Sequence, residues 1–216
     1  MIKPRPYLLK HSAFIHTPKT GGSWVNKTLF DMGLYTQLGT GHLNKTDLGL
    51  TCHCFTFVRQ PVSWIKSMWA FQKRRFEQGK DSRDYYEDMF LKIINHSPDI
   101  PDNPIAIVEF YHDNINVFIE RLLKYQPNGI NDYFKYFTEG CTQVGKQETL
   151  SEDLIQILNH TGEVFNEKII RRLAAGKVNV CVGKKKIKID SDIETRLIKS
   201  CKWFFDTFQF YGKPYL

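Results

Sequence analysis

The sequence predicts an α/β fold, a three-layer arrangement in which a parallel sheet is flanked by helices, formed as a single domain over residues 1–216. Two observations predict it. Short apolar runs alternate along the chain with segments whose apolar residues recur at helical spacing. Glycine and proline fall at the joints between them. Strands that alternate with helices build parallel sheets covered by helices. No internal repeat, low-complexity tract or Gly/Ser linker breaks the pattern.

The elements follow in order. Ala13-Phe14-Ile15-His16 is a short apolar run ending at Pro18 and reads as a buried strand. After Gly21-Gly22, the residues Val25, Leu29 and Met32 share one helical face, and Gly33 is the stop. A second unit repeats the order. Cys54-Phe55-Thr56-Phe57-Val58 is a strand, and Pro61 fits the first turn of a helix that carries Ile65, Met68, Trp69 and Gln72. The residues Tyr85, Tyr86, Met89, Phe90, Ile93 and Ile94 mark another helix. Ile115, Phe118, Ile119, Leu122 and Leu123 mark a strongly amphipathic one. Residues 143–147 read as a short strand. Ser151 is expected to cap a helix carrying Leu154, Ile157 and Leu158. Asn166 is expected to cap a short helix with Ile169, Ile170 and Leu173, closed by Gly176. Ser191 with Glu194 has capping-box spacing, before one last helix whose core face is Ile193, Leu197, Ile198, Cys201, Phe204, Phe205 and Phe208. Residues 33–51 and 95–104 read as loops, and loops carry sites.

Composition narrows the function classes. Hydrophobic residues at 42% and charged residues at 25% are ordinary for a globular chain, which sets aside disorder and fibrous repeats. No apolar run approaches the roughly 18 residues of a spanning helix. The start, Met1-Ile2-Lys3-Pro4-Arg5-Pro6, lacks the basic-then-apolar order of a signal peptide. Five cysteines, an odd and irregularly spaced set, read as reduced thiols in a cytoplasmic setting. Thirty Lys and Arg against 23 Asp and Glu leave a net charge of +7, which suits an anionic partner without choosing among nucleotide, nucleic acid, acidic glycan and membrane surface.

The segment that carries chemistry is Phe14-Ile15-His16-Thr17-Pro18-Lys19-Thr20-Gly21-Gly22-Ser23-Trp24. A lysine and two glycines stand between a strand and a helix start. Glycines let backbone N–H groups approach a ligand, and a helix start offers unpaired N–H groups and a positive dipole end. Lys19 adds a charge, and Thr20 and Ser23 add hydroxyl donors. This reads as a site for a phosphate or sulfate group. Its order differs from G-x-x-x-x-G-K-[ST], because Lys19 precedes the glycines. A second segment, Phe57-Val58-Arg59-Gln60-Pro61, ends a strand with an arginine whose fork of donors suits a phosphate. Ser67 follows eight residues after Arg59. Lysine and arginine leaving neighbouring strands would form a two-anion site at the carboxyl edge of the sheet, where open α/β sheets bind ligands.

These segments resemble the sulfotransferases that use 3′-phosphoadenosine 5′-phosphosulfate (PAPS). Pro18-Lys19-Thr20-Gly21-Gly22-Ser23 is similar to the family's loop for the 5′-phosphosulfate. Val58-Arg59-Gln60-Pro61 with Ser67 is similar to its 3′-phosphate motif. The segment Val144-Gly145-Lys146-Gln147-Glu148-Thr149-Leu150, leading into Ser151-Glu152-Asp153-Leu154, resembles a later strand-to-helix segment of the family. The likeness spans residues 14–154 and is closest to carbohydrate-type and bacterial members. It implies a P-loop-NTPase-like sheet and transfer of a sulfuryl group to a hydroxyl or amine of a carbohydrate or small-molecule acceptor. It further implies that Lys19, Thr20, Gly21, Gly22 and Ser23 hold the phosphosulfate, with Lys19 also catalytic. Trp24 would lie near the adenine, and Arg59 and Ser67 would bind the 3′-phosphate. The base would be His42, in Gly39-Thr40-Gly41-His42-Leu43. No metal, nucleic-acid or membrane-spanning role is expected. The chain departs from the family pattern in Gln60, where Asp or Asn is usual and a weaker helix cap is expected, and in Trp64 and Trp69, where relatives carry Arg and Tyr.

Plainer readings stand beside these. Trp24 also reads as core, and His42 as an ordinary loop histidine. His16 reads as a buried, hydrogen-bonded residue. Cys52-His53-Cys54 on a strand would point its cysteines one way and its histidine the other, with no second ligand pair at zinc spacing. Lys73-Arg74-Arg75 and Lys184-Lys185-Lys186 read as solvated surface, or as guides for an acidic ligand. The rival functions are an ATP-dependent, kinase-like transferase and a basic, non-catalytic module that binds nucleotide or polyanion.

Overall fold

The computed structural model describes residues 6–38, 43–79, 110, 112–176 and 187–210. The helix read at 85–94, the loop read at 95–104, Cys181 and Lys184-Lys185-Lys186 lie outside the described residues. The strands are β1 (Tyr7–Leu8), β2 (Ser12–Phe14), β3 (Thr36–Gln37), β4 (His53–Val58) and β5 (Gln143–Lys146). The helices are α1 (Gly22–Asp31), α2 (Pro61–Glu77), α3 (Ile115–Tyr125), α4 (Gly129–Thr138), α5 (Leu150–His160), α6 (Glu167–Ala175), α7 (Ser191–Ser200) and α8 (Lys202–Phe208). The protein is α/β, and its chain divides into two compact units, residues 1–59 with 137–185, and residues 60–136 with 186–216.

The first unit holds the sheet, in the order β3-β1-β2-β4-β5. Strands β2, β4 and β5 are parallel, with Phe14 opposite Phe55 and Val58 opposite Lys146. Strand β1 runs antiparallel to both β2 and β3. The sheet is therefore mixed, not parallel throughout as the sequence reading had it. The physical reason is local: Leu9 N donates to Ser12 O at 2.8 Å, and a tight turn of this kind joins only antiparallel neighbours, whereas parallel pairs need a long crossover. Glu163, buried, anchors that turn, its Oε1 accepting from His11 N and from Ser12 Oγ, each at 2.8 Å. The edge strand β3 is two residues long and exposed, which limits pairing with other chains.

Helices α1, α5 and α6 flank this sheet. Their shared core contains Phe14, Trp24, Val25, Leu29, Phe55, Phe57, Leu154, Leu158 and Ile170. Phe14 and Phe55 meet across the paired strands at 5.4 Å between ring centres. Burying each such side chain is worth about 1.5–3 kcal/mol, so the central strands are where the unit is anchored. Gly33, at φ 69°, ends α1 as its position suggested. Asn166 caps α6, its Oδ1 accepting from Lys168 N at 3.1 Å. Ser151 does not cap α5: the helix begins at Leu150 with Thr149 as the cap residue, and the Ser151 hydroxyl donates to Glu152 Oε2.

The second unit is helical in its described part. Trp64 of α2 is fully buried, 4.6 Å from the Tyr133 ring and 5.6 Å from that of Phe134 on α4. Phe134 in turn meets Phe204 of α8 at 4.7 Å. Helix α4 escaped the sequence reading, although Ile130, Tyr133, Phe134 and Phe137 recur at helical spacing and are all buried. Gln60 caps α2 after all: its Oε1 folds back to accept from Ser63 N at 2.7 Å. The capping box at Ser191 is not formed. Asp190 is the cap residue without a side-chain bond, and Ser191 already belongs to α7. The single last helix is two, broken at Cys201, and Phe205 and Phe208 are only half-buried. No described helix is long and apolar enough to cross a membrane.

Cys54 and Cys201 are buried, in different units. Burial pushes both thiols up to about 12, with Cys52 adding to the effect at Cys54. A folded-state value above the unfolded one favours folding below the unfolded value and loses that contribution as pH rises through the folded one. Thermal stability should therefore fall above about pH 9, the ordinary thiol value. Cys54→Ala and Cys201→Ala should each flatten that decline in melting curves taken from pH 8 to pH 11. Unchanged slopes in both variants would contradict it.

Candidate anion site

The segment between β2 and α1 lies at the carboxyl ends of the parallel strands β2, β4 and β5, all within the first unit. Past Phe14 the ladder extends by one bond, Ile15 N to Phe55 O at 2.8 Å. Buried hydroxyls then hold the turn. Thr56 Oγ1 donates to Ile15 O at 2.8 Å. That uses its one proton, so Thr17 Oγ1 is the donor in the 2.7 Å contact between the two threonines. Thr20 Oγ1 donates to Thr17 O at 2.8 Å.

Lys19 occupies the left-handed region at φ 68°. A side chain there costs on the order of 1–2 kcal/mol, and such conformations persist only where the surroundings impose them. Arg59, leaving β4, supplies one restraint: its Nη1 donates to Lys19 O at 3.3 Å. Gly21 follows at φ 90° and is the residue before α1. A Cβ on Gly21 would stand 2.7 Å from Leu150 Cδ2, and one on Gly22 would stand 2.6–2.8 Å from three atoms of the His16 ring. That ring is buried, with Nδ1 3.1 Å from Asn26 Oδ1, as the sequence suggested for His16. Both glycines are thus demanded by the protein's own packing, a reason the sequence reading did not foresee.

The electrostatics of the turn are positive. The first N–H groups of a helix have no partner within it. No side chain caps α1 among the described residues, and its first turn holds no acidic residue. Lys19 and Arg59, both half-buried, stand beside that helix start. Burial draws the Arg59 value down from its ordinary level, and Glu148 opposes the shift. A guanidinium remains charged at neutral pH regardless. Two cations beside a helix start with no acidic residue in its first turn have the chemistry that favours an anion.

The structure sorts the residues read from the sequence. Lys19, Gly21, Gly22 and Arg59 come together, with Ser23 exposed on the first turn of α1. Thr20 is fully buried and its proton goes to Thr17 O, so its hydroxyl stitches the turn and is not offered to a ligand. Trp24 is buried in the core, and its Nε1 donates to Leu173 O at 3.3 Å. Packing accounts for its ring, which belongs to the sheet's core. Ser67 lies on α2 in the second unit, half-buried. His42 lies outside the described residues. Cys54 is buried and His53 exposed, as alternation on a strand requires. The described residues hold no cluster of three His, Cys, Asp or Glu side chains fit for a metal ion.

Three parts of the site were missed as such. The pair Thr17 and Thr56 was visible only as hydroxyls in an otherwise apolar strand and its exit. Asn26 was visible as a polar residue one turn after Gly22. Gln147 and Leu150, which abut Gly21, lay in the third resembling segment but carried no assigned role. Comparison of the chain with protein-family models, with curated proteins and with solved structures gives no match.

Proposed function

We propose that this chain is a PAPS-dependent sulfotransferase acting on a hydroxyl or amine of a carbohydrate or small-molecule acceptor. One observation carries the reading. The uncapped start of α1 follows a lysine held at positive φ by an arginine from the adjacent parallel strand. The residues fit the donor's charged groups. Lys19, the N–H groups at Gly21 and Gly22, and Ser23 would hold the 5′-phosphosulfate, and Arg59 the 3′-phosphate. The donor supplies an activated sulfuryl group and a phosphate leaving group. The chain's part is to stabilise charge on that phosphate through Lys19 and the helix start, and to orient the acceptor. A base must take the acceptor's proton, a role we assign to His42 on the sequence resemblance.

The test is thermal stabilisation by 3′,5′-bisphosphoadenosine (PAP), the reaction's product, against ATP and AMP. Ligand at about 100 times its dissociation constant adds roughly 2.7 kcal/mol. A shift specific to PAP and lost in Lys19→Ala is expected. Equal stabilisation by ATP would move the reading to a kinase-like transferase. Indifference to PAP with salt-steep polyanion binding would move it to a binding module.

A further inference from the structure

We propose that His16 and Asn26 are positioning residues of the anion site: their buried hydrogen bond fixes the start of α1 to the sheet, so that its first N–H groups and Lys19 meet one anion. The inference rests on the reading that an anion sits at this helix start. On the sheet side, His16 is held through both its neighbours. Ile15 N donates to Phe55 O at 2.8 Å, and Thr17 Oγ1 to Thr56 Oγ1 at 2.7 Å. The His16 ring lies beside that of Phe14, with centres 5.8 Å apart.

On the helix side, the ring meets α1 at two points. Its Cε1, Nε2 and Nδ1 atoms are 2.6, 2.7 and 2.8 Å from the Cβ position at Gly22, and such near-equal distances mean that the ring presents its face to that residue. Asn26 comes one turn later on the same side of α1, and its Oδ1 is 3.1 Å from His16 Nδ1. An amide oxygen only accepts, so Nδ1 carries the proton. His16 is 3% exposed and Asn26 0%. Arg59 braces the loop residue Lys19 through its carbonyl, and the His16–Asn26 bond braces the helix that follows. A hydrogen bond adds little net stability, but it is directional, whereas apolar burial is not. The pair therefore contributes alignment more than stability.

The test compares the full chain with Asn26→Leu and with the double variant His16→Phe/Asn26→Leu, by melting curves and by calorimetric titration with pyrophosphate and PAP. We expect Asn26→Leu to weaken pyrophosphate about tenfold, the loss of roughly one hydrogen bond to a charged group, and to lower the melting temperature, because His16 Nδ1–H is left buried without this acceptor. The double variant removes both partners, so its melting temperature should recover while its affinity stays about tenfold down. An affinity within about twofold of wild type in either variant would overturn the inference, since packing alone would then align the helix. Nitrogen-15 spectra of the histidine rings give a readout that needs no ligand. His16 should be protonated at Nδ1 in the wild type and shift to Nε2 in Asn26→Leu. A wild-type His16 protonated at Nε2 alone would also overturn it. Pyrophosphate binding with the expected loss, but no PAP binding, would leave this inference standing and sink the PAPS reading. Binding of neither anion by the wild type would sink both.

Discussion

Arg59→Ala is expected to weaken PAP binding by about 100-fold and to abolish PAP-dependent stabilisation while the fold survives. Two losses add. The guanidinium is the strand-end cation of the site, and hydrogen bonds to charged groups contribute roughly 1.5–3 kcal/mol each. It is also a brace on the strained turn, donating to the carbonyl of Lys19. Without that bond, Lys19 can leave the left-handed region, and the helix start loses its neighbouring charge. The fold should survive because Arg59 is only half-buried. Arg59→Lys should recover only part of the affinity, since an ammonium keeps the charge but not the planar fork. Titration calorimetry and melting curves read both effects. PAP affinity within threefold of wild type in Arg59→Ala would place the phosphate elsewhere.

Gly22→Ala is expected to destabilise the protein by about 1–3 kcal/mol, the usual cost of overpacking, and to disrupt anion binding with it. The added methyl would meet the face of the buried His16 ring at 2.6–2.8 Å. That ring has little freedom to retreat, being buried and within hydrogen-bond distance of Asn26. Adding His16→Ala should return part of the lost stability, because the room vacated by the ring accepts the methyl. Urea denaturation of the two single variants and the double variant gives the coupling directly. Strict additivity would mean that the clash is relieved some other way and that Gly22 is not held by His16.

The first binding segment was legible because each of its residues reports on the backbone as well as on chemistry. Two glycines after a strand and before a helical pattern require an unusual turn, and Gly21 at φ 90° is that turn. Lys19 and Arg59 were legible as charges at strand exits. Their contact, and the positive φ at Lys19, were not, because nothing local in Pro18-Lys19-Thr20 demands a left-handed lysine. Thr20 shows the limit from the other side. A hydroxyl in a ligand-type motif reads as a donor to ligand, yet its proton is used on Thr17 O. Gln60 shows it again. A poor intrinsic cap becomes an adequate one when its longer side chain can fold back onto Ser63 N.

By itself, the sequence determined the α/β class, the central apolar strands, most helices and the basic turn before α1. These follow from hydrophobic period, from glycine placement and from charge, which act over a few neighbouring residues. Only the tertiary structure decided that the sheet is mixed, that the last helix breaks at Cys201, and that Trp24 belongs to the core. It also decided that Arg59 braces Lys19. Those outcomes depend on which strands become neighbours and in what register. Residues some 40 to 130 positions apart meet only once Val58 is paired with Lys146 and Phe14 with Phe55, and pairing at that range is governed by burial across the whole sheet, not by the residues beside each one in the chain.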